Sequence, residues 1–235
     1  MKPQRLWAKT APESPRKTAH ALLARLLPVF FLIGLPACAS SPETSQPLKT
    51  PSWTCDEEAD RALTEGDLET GIRLHQRLLQ TQPDNALARY HLGYAYGQTG
   101  DHAREIACYE RARELGYEDA ELLFNLGMAY GETGRPKEAV RVFQKAVDTA
   151  PQRADYHVGL GLALESKGDL ASAARAFHQA VELDPSLIDA RWFLARIYMQ
   201  TGQRDPAREQ LRGILQRDPD HPGARRLLEE LESPG

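Results

Sequence analysis

Long apolar runs are scarce in this sequence. The longest, residues 26–37 (LLPVFFLIGLPA), has 12 residues, short of the ~20 that a helix needs to cross a bilayer. Cysteine is scarce too. Cys38, Cys55 and Cys108 form no CxxC pair, so a zinc finger or a thioredoxin-like redox motif has no support. Positive charge is missing from the body of the chain. Six basic residues against Glu13 alone give residues 1–37 a charge of +5, which leaves −9 for the rest of a chain whose net charge is −4. An acidic body argues against nucleic acid, whose affinity comes largely from neutralised phosphates. It argues equally against docking on anionic lipid through a basic patch. There is no HExxH, no GxSxG and no phosphate loop. The histidines at 75, 91, 102, 157, 178 and 221 are scattered. No catalytic residue, metal ligand or cofactor is expected, and the chain does not read as an enzyme.

What the amino terminus does have is an address. Residues 1–25 are basic, residues 26–37 are apolar, and a small residue, Ala37, precedes Cys38. That order describes a secretory signal. Leu35-Pro36-Ala37-Cys38 resembles the bacterial lipobox, with Pro36 in place of the usual small residue. The resemblance implies a signal peptide over 1–37 and a mature chain that starts at an acylated Cys38. Several acyl chains would hold such a protein stably to one leaflet. Ala39 rather than Asp follows Cys38, which in family terms implies the outer membrane, with the protein facing the periplasm. Residues 38–51 are rich in Ser, Thr and Pro; too little apolar surface is there to fold, so a lipidated flexible tether is expected.

From residue 52 onward the sequence repeats itself. Gly66, Gly100, Gly134, Gly168 and Gly202 recur every 34 residues. Parallel columns read Ala59, Gly93, Gly127, Gly161, Ala195 and His75, Tyr109, Phe143, Phe177, Leu211. The copies close at Pro83, Tyr117, Pro151, Pro185 and Pro219. Inside each copy the apolar residues stand three and four apart, one face of a helix. The recurring Gly falls where a first helix must stop. Asp67, Asp101, Asp169 and Asp205 follow at N-cap positions for a second helix, and Pro136 and Pro206 suit a first turn. Helices are predicted over 53–65, 69–81, 87–99, 103–115, 121–133, 137–149, 155–167, 171–183, 189–201 and 205–217, with a capping helix over 222–232. Glu105 stands where a small residue is expected between helices; since a buried lone carboxylate is costly, a local shift that puts Ala103 or Ala107 at the contact is predicted. Cys55 and Cys108 could pair in an oxidising compartment, but they fall on different helices of adjacent repeats and disulfide geometry needs close, correctly aimed Cβ atoms, so the favoured reading is a free thiol at each place.

This 34-residue helix–turn–helix pattern resembles the tetratricopeptide repeat. The resemblance implies an all-α fold, a right-handed superhelical solenoid of five helix-turn-helix repeats with a C-terminal capping helix. The domain spans 52–232, with repeats at 52–85, 86–119, 120–153, 154–187 and 188–221 and the cap at 222–232. The first copy is degenerate, as end repeats commonly are. In the family the first helix of each pair lines a concave groove. Carried over, the groove residues are Leu87, Tyr90, His91, Tyr94, Phe124, Asn125, Met128, Val158, Leu162, Trp192, Arg196 and Met199. Asn125 stands where the family's Asn bonds a peptide backbone. The basic clamp of the chaperone-binding members is absent, which argues against an acidic C-terminal tail as ligand.

The resemblance implies a protein-binding scaffold. Small repeat lipoproteins of this kind look similar to pilotins of type IV pilus secretins and to secretion-system assembly factors. The preferred partner is therefore an envelope-complex component such as a secretin, with the membrane reached through the lipid on Cys38. The alternative is an adaptor that gathers peptidoglycan hydrolases, as a homodimer in one version. The oligomeric state stays open.

Overall fold

The computed structural model describes Trp53 and residues 56–233. The signal peptide, Cys38, the tether and Cys55 lie outside the described residues. Among the described residues there are eleven helices and no strand: α1 Glu57–Thr64, α2 Leu68–Thr81, α3 Ala86–Gln98, α4 His102–Glu114, α5 Ala120–Glu132, α6 Pro136–Thr149, α7 Ala154–Lys167, α8 Leu170–Leu183, α9 Ile188–Gln200, α10 Arg204–Leu215 and α11 Pro222–Glu232. Apart from a shorter α1, each lies within two residues of its expected bounds. None is long and apolar enough to cross a membrane.

The helices form two compact units that divide between Glu118 and Asp119. One holds α1–α4, the other α5–α11. Within each unit, every helix packs on the next.

The turns inside the pairs follow from Gly and Asp. Gly100 has φ +79°, a left-handed conformation that costs glycine nothing. Its N–H donates to the Gly97 carbonyl, and the Asp101 N–H donates to the Tyr96 carbonyl at 2.9 Å. These two bonds satisfy the carbonyls that α3 would leave open, as in a Schellman ending. Asp101 then caps α4, its carboxylate accepting from the Arg104 N–H at 3.0 Å. Asp67 and Asp169 do the same for α2 and α8. Asp205 does not. The residue before α10 is Gln203, and Asp205 sits one turn-position inside the helix. There its charge still favours the positive helix start.

The pair interiors are built on a ring over a small residue. A Cβ at Gly93 would stand 2.8 Å from the Tyr109 ring, at Gly127 2.8 Å from Phe143, and at Gly161 2.6 Å from Phe177. Ala139, Ala173 and Ala207 on the second helices are fully buried. Each large side chain removed from water in this way contributes about 1.5–3 kcal/mol.

Glu105 corrects an expectation. Ala103 and Ala107 are exposed, while Glu105 is 1% exposed. No local shift occurs, because the carboxylate is paired in place: the Nδ1 of His102, three residues earlier on α4, lies 2.9 Å from its Oε2. A hydrogen-bonded partner offsets the desolvation that a lone carboxylate would suffer.

Candidate functional site

The expected groove residues part into two groups. Tyr90 and His91 are 1% exposed and Phe124 is 9% exposed. They lie inside the helix layers and offer no contact surface, which corrects their placement on an open wall. The cause is aromatic packing. Tyr90 has the rings of Tyr109 at 5.8 Å and Tyr117 at 5.3 Å, and Trp53 meets Tyr117 edge-on at 5.5 Å. Phe124 stacks on Tyr156 at 4.9 Å and meets Phe143 edge-on. Helical spacing alone does not distinguish a ring that faces a guest from one that faces the next helix.

Leu87 and Tyr94, in the first unit, are half-buried, as are Asn125, Met128, Val158, Leu162, Trp192, Arg196 and Met199 in the second. Trp192 and Met199 pack against the cluster of Ala195, Leu211, Ile214, Ala224 and Leu231 where α9 meets α10 and α11. The Trp192 indole lies so close over Gly223 that a Cβ there would stand 2.6 Å from it. Its ring also reaches His221 at 5.3 Å. Much of this indole is thus used within the fold.

What remains is a row on the first helices of the second unit. Asn125 and Met128 on α5, Val158 and Leu162 on α7, and Arg196 on α9 are half-exposed at three- and four-residue spacing. The row is apolar at its centre. Arg196 lies 3.5 Å from Glu165 on α7. Burial pushes the Glu165 carboxyl above its ordinary value, and the Arg196 charge pulls part of the way back. Surfaces of this kind, apolar with one Arg at the edge, suit protein contacts.

A cluster that the sequence reading missed lies in the first unit. Asp60 on α1, His75 on α2 and His91 on α3 converge. Asp60 Oδ1 is 2.6 Å from His91 Nδ1 and 3.1 Å from His75 Nε2. The two ring nitrogens are 3.3 Å apart. His75 Nδ1 donates to the Gly71 carbonyl at 2.9 Å, and His91 Nε2 is buried with no partner. Burial opposes ionisation of Asp60. The hydrogen bonds with His75 and His91, with their electrostatic pull, outweigh it and hold the carboxyl well below the usual carboxylate range. These are the residues of the described chain that could hold a metal ion. The sequence signal for them was weak: His75 in the ring column, His91 read as a wall residue, and Asp60 15 residues from His75 and 31 from His91.

An arginine-lined hollow of about 580 Å³ lies along α9 and α10, with Arg191, Arg208, Arg212 and Arg217 on its walls. Arg208 pairs with Asp205, Arg212 with Glu232, and Arg191 donates to Gln210. The two carboxylates offset two of the four arginine charges.

Models of the tetratricopeptide repeat match residues 57–120, 106–154 and 124–188, and a second such model matches residues 164–231. The first three matches together run from 57 to 188, more than half of the 235 residues. The chain belongs to the tetratricopeptide-repeat family. Family membership accounts for the all-α architecture, and proteins of this family serve as protein-interaction scaffolds. No curated protein matched the chain by sequence. Among solved structures, tetratricopeptide-repeat folds match well. YrrB, described as a tetratricopeptide-repeat protein with an unusual peptide-binding site, is 24% identical with a TM-score of 0.69, over 74% of this chain and 89% of that one. A MamA structure is 26% identical with a TM-score of 0.65, over 68% and 87% of the two chains. MamA from Desulfovibrio magneticus RS-1, residue 41 to the end, is 21% identical with a TM-score of 0.67, over 71% and 94%.

Proposed function

We propose that this tetratricopeptide-repeat protein is a cell-envelope adaptor that holds a segment of a partner protein on the row Asn125, Met128, Val158, Leu162 and Arg196. The observation that carries this reading is the row itself. Apolar side chains stand half in water on two successive first helices, α5 and α7, with an amide on α5 and a guanidinium on α9 to fix a partner's backbone and charge. The peptide-binding site named for YrrB supports a peptide-like occupant. Of the groove expected from sequence, this proposal keeps the second unit's half-exposed members and leaves out the buried rings.

The anchor belongs to the same proposal. An acylated Cys38 at the end of the LPAC motif places the protein on the outer membrane, facing the periplasm, with residues 39–51 as its tether. The fitting role is assembly of a pilus or secretion complex, with a secretin as the partner. Cys38→Ala should release the protein from the membrane fraction, and mass spectrometry of the mature amino terminus should show acyl chains on Cys38.

The row is tested by in-membrane crosslinking in its own cells. Wild type should capture an envelope protein, and Met128→Glu with Leu162→Glu should lose it while circular dichroism stays unchanged. Equal capture by the folded double variant would remove the row from the binding surface.

A further inference from the structure

We propose that Asp60, His75 and His91 form a binding site for one first-row transition-metal ion, Zn²⁺ foremost, which clasps α1, α2 and α3 together. The inference is independent of the partner surface proposed above.

Proton bookkeeping carries it. A carbonyl only accepts, so the 2.9 Å contact with Gly71 fixes a hydrogen on His75 Nδ1. In the neutral ring, His75 Nε2 is then a bare lone pair. It points at Asp60 Oδ1, 3.1 Å away, and at His91 Nδ1, 3.3 Å away. An ionised carboxylate has no hydrogen to offer. His91 can give one from Nδ1 to Asp60 at 2.6 Å, but that leaves the His75 lone pair facing the carboxylate. A second proton on His75 or a cation among the three atoms resolves the conflict, and the spacing of the three ligand atoms favours the cation.

The spacing suits a metal. Tetrahedral ligands on Zn²⁺ at its usual bond lengths stand about 3.3 Å from one another. The two nitrogens are already at 3.3 Å, and the oxygen, at 3.1 Å from His75 and 2.6 Å from His91, needs to open by about 0.7 Å from the latter. The Nδ1–H of His75 on a backbone carbonyl is the outer-shell bond that orients ligating imidazoles. His91 Nε2 has no partner to fix its tautomer, so its proton can move to that atom and free Nδ1 for the ion. Asp60 is 20% exposed while both rings are buried, which leaves an entry path and a fourth position for water. Two imidazoles and one carboxylate favour Zn²⁺ and its neighbours over Mg²⁺ or Ca²⁺.

The site gives the odd first repeat a reason. His75 occupies the column that holds Tyr109, Phe143 and Phe177 in the next three copies. There a ring fills space by packing. In the first copy the ring binds instead, and the ion ties the two helices of that repeat to the first helix of the next.

The test uses the full chain, made without a polyhistidine tag and stripped with EDTA. Zn²⁺ should bind at one ion per chain, and it should raise the thermal midpoint by about 2–8 °C in a way EDTA reverses. Co²⁺ should give four-coordinate visible bands without a thiolate charge-transfer band. His75→Gln, His91→Gln and Asp60→Asn should each weaken binding at least about tenfold, and the Zn²⁺-induced shift should vanish in each variant that circular dichroism shows to be folded. His178→Gln, at an exposed histidine on α8, should bind like wild type. Should all three variants fail to fold, the stoichiometry and the Co²⁺ spectrum of wild type decide. No stoichiometric binding, cysteine ligation, or equal affinity in a folded His75→Gln would overturn the site.

Discussion

His157 Nε2 donates to the Pro151 carbonyl, 2.9 Å away and six residues back. The same geometry joins Arg89 to Pro83, Arg191 to Pro185 and Arg225 to Pro219. The donors fall in one 34-residue register, and only Leu123 breaks it, after the copy that closes with Tyr117 instead of Pro. A closing Pro ends a helix and leaves its own carbonyl without a helical partner. The donor six residues on supplies one and ties each copy to the first helix of the next. His157→Ala should cost about 0.5–1.5 kcal/mol, measured by urea denaturation. An unchanged midpoint would mean that water replaces the ring without loss.

Two glycines of the same helix type should answer alanine differently. At Gly161 a Cβ would stand 2.6 Å from the Phe177 ring, while at Gly131 nothing lies within 4 Å. Both are helical. Gly131→Ala should stabilise by about 0.5–1 kcal/mol through backbone entropy. Gly161→Ala has the same entropic gain but must push the Phe177 ring aside, which costs about 1–3 kcal/mol. Its thermal midpoint should fall or stay level while that of Gly131→Ala rises.

Cys108 should be a silent thiol. Burial pushes it up to about 11, although the charges of Arg89 and Arg104 pull the other way. In a variant whose only cysteine is Cys108, labelling at pH 8 should follow unfolding and not free thiolate. The linkage has a definite sign. Between the ordinary value of 9.0 and about 11 the folded chain keeps a proton that the unfolded chain releases. Stability should therefore fall by about 2 kcal/mol as pH rises through that window, and Cys108→Ala should abolish that part of the fall.

Trp192 should matter for α11 before it matters for any partner. Its indole lies over Gly223 and beside His221. Trp192→Ala should cost about 2 kcal/mol, below the ~3–5 of a fully buried ring. Hydrogen exchange should show lost protection in α11 with α5–α8 unchanged. Intact protection of α11 would mean that Leu231 and Ala224 hold the helix alone.

Most of the fold was legible because its determinants are local. A Gly at the end of a helix, an Asp after it and a Pro at the end of each copy act within a few residues, and they place boundaries well. The candidate site was harder, because it depends on which way a side chain turns. Tyr90 and Phe124 share the helical face expected of a groove, yet aromatic neighbours on adjacent helices draw them inside. Asp60, His75 and His91 look unrelated until three helices bring them together. Glu105 departs from its column, and its contact with His102 shows how a carboxylate is kept buried there.

Asp101 finishes α3 with its N–H and starts α4 with its carboxylate. A single residue is thereby the joint for both rods, with no slack between them. An added or deleted residue at that joint would misalign two helix ends at once and rotate everything on the far rod by about 100° per residue. An insertion between Gly100 and Asp101 should therefore disturb α3 and α4 together, where one beyond the end of α4 would spare both ends of this joint.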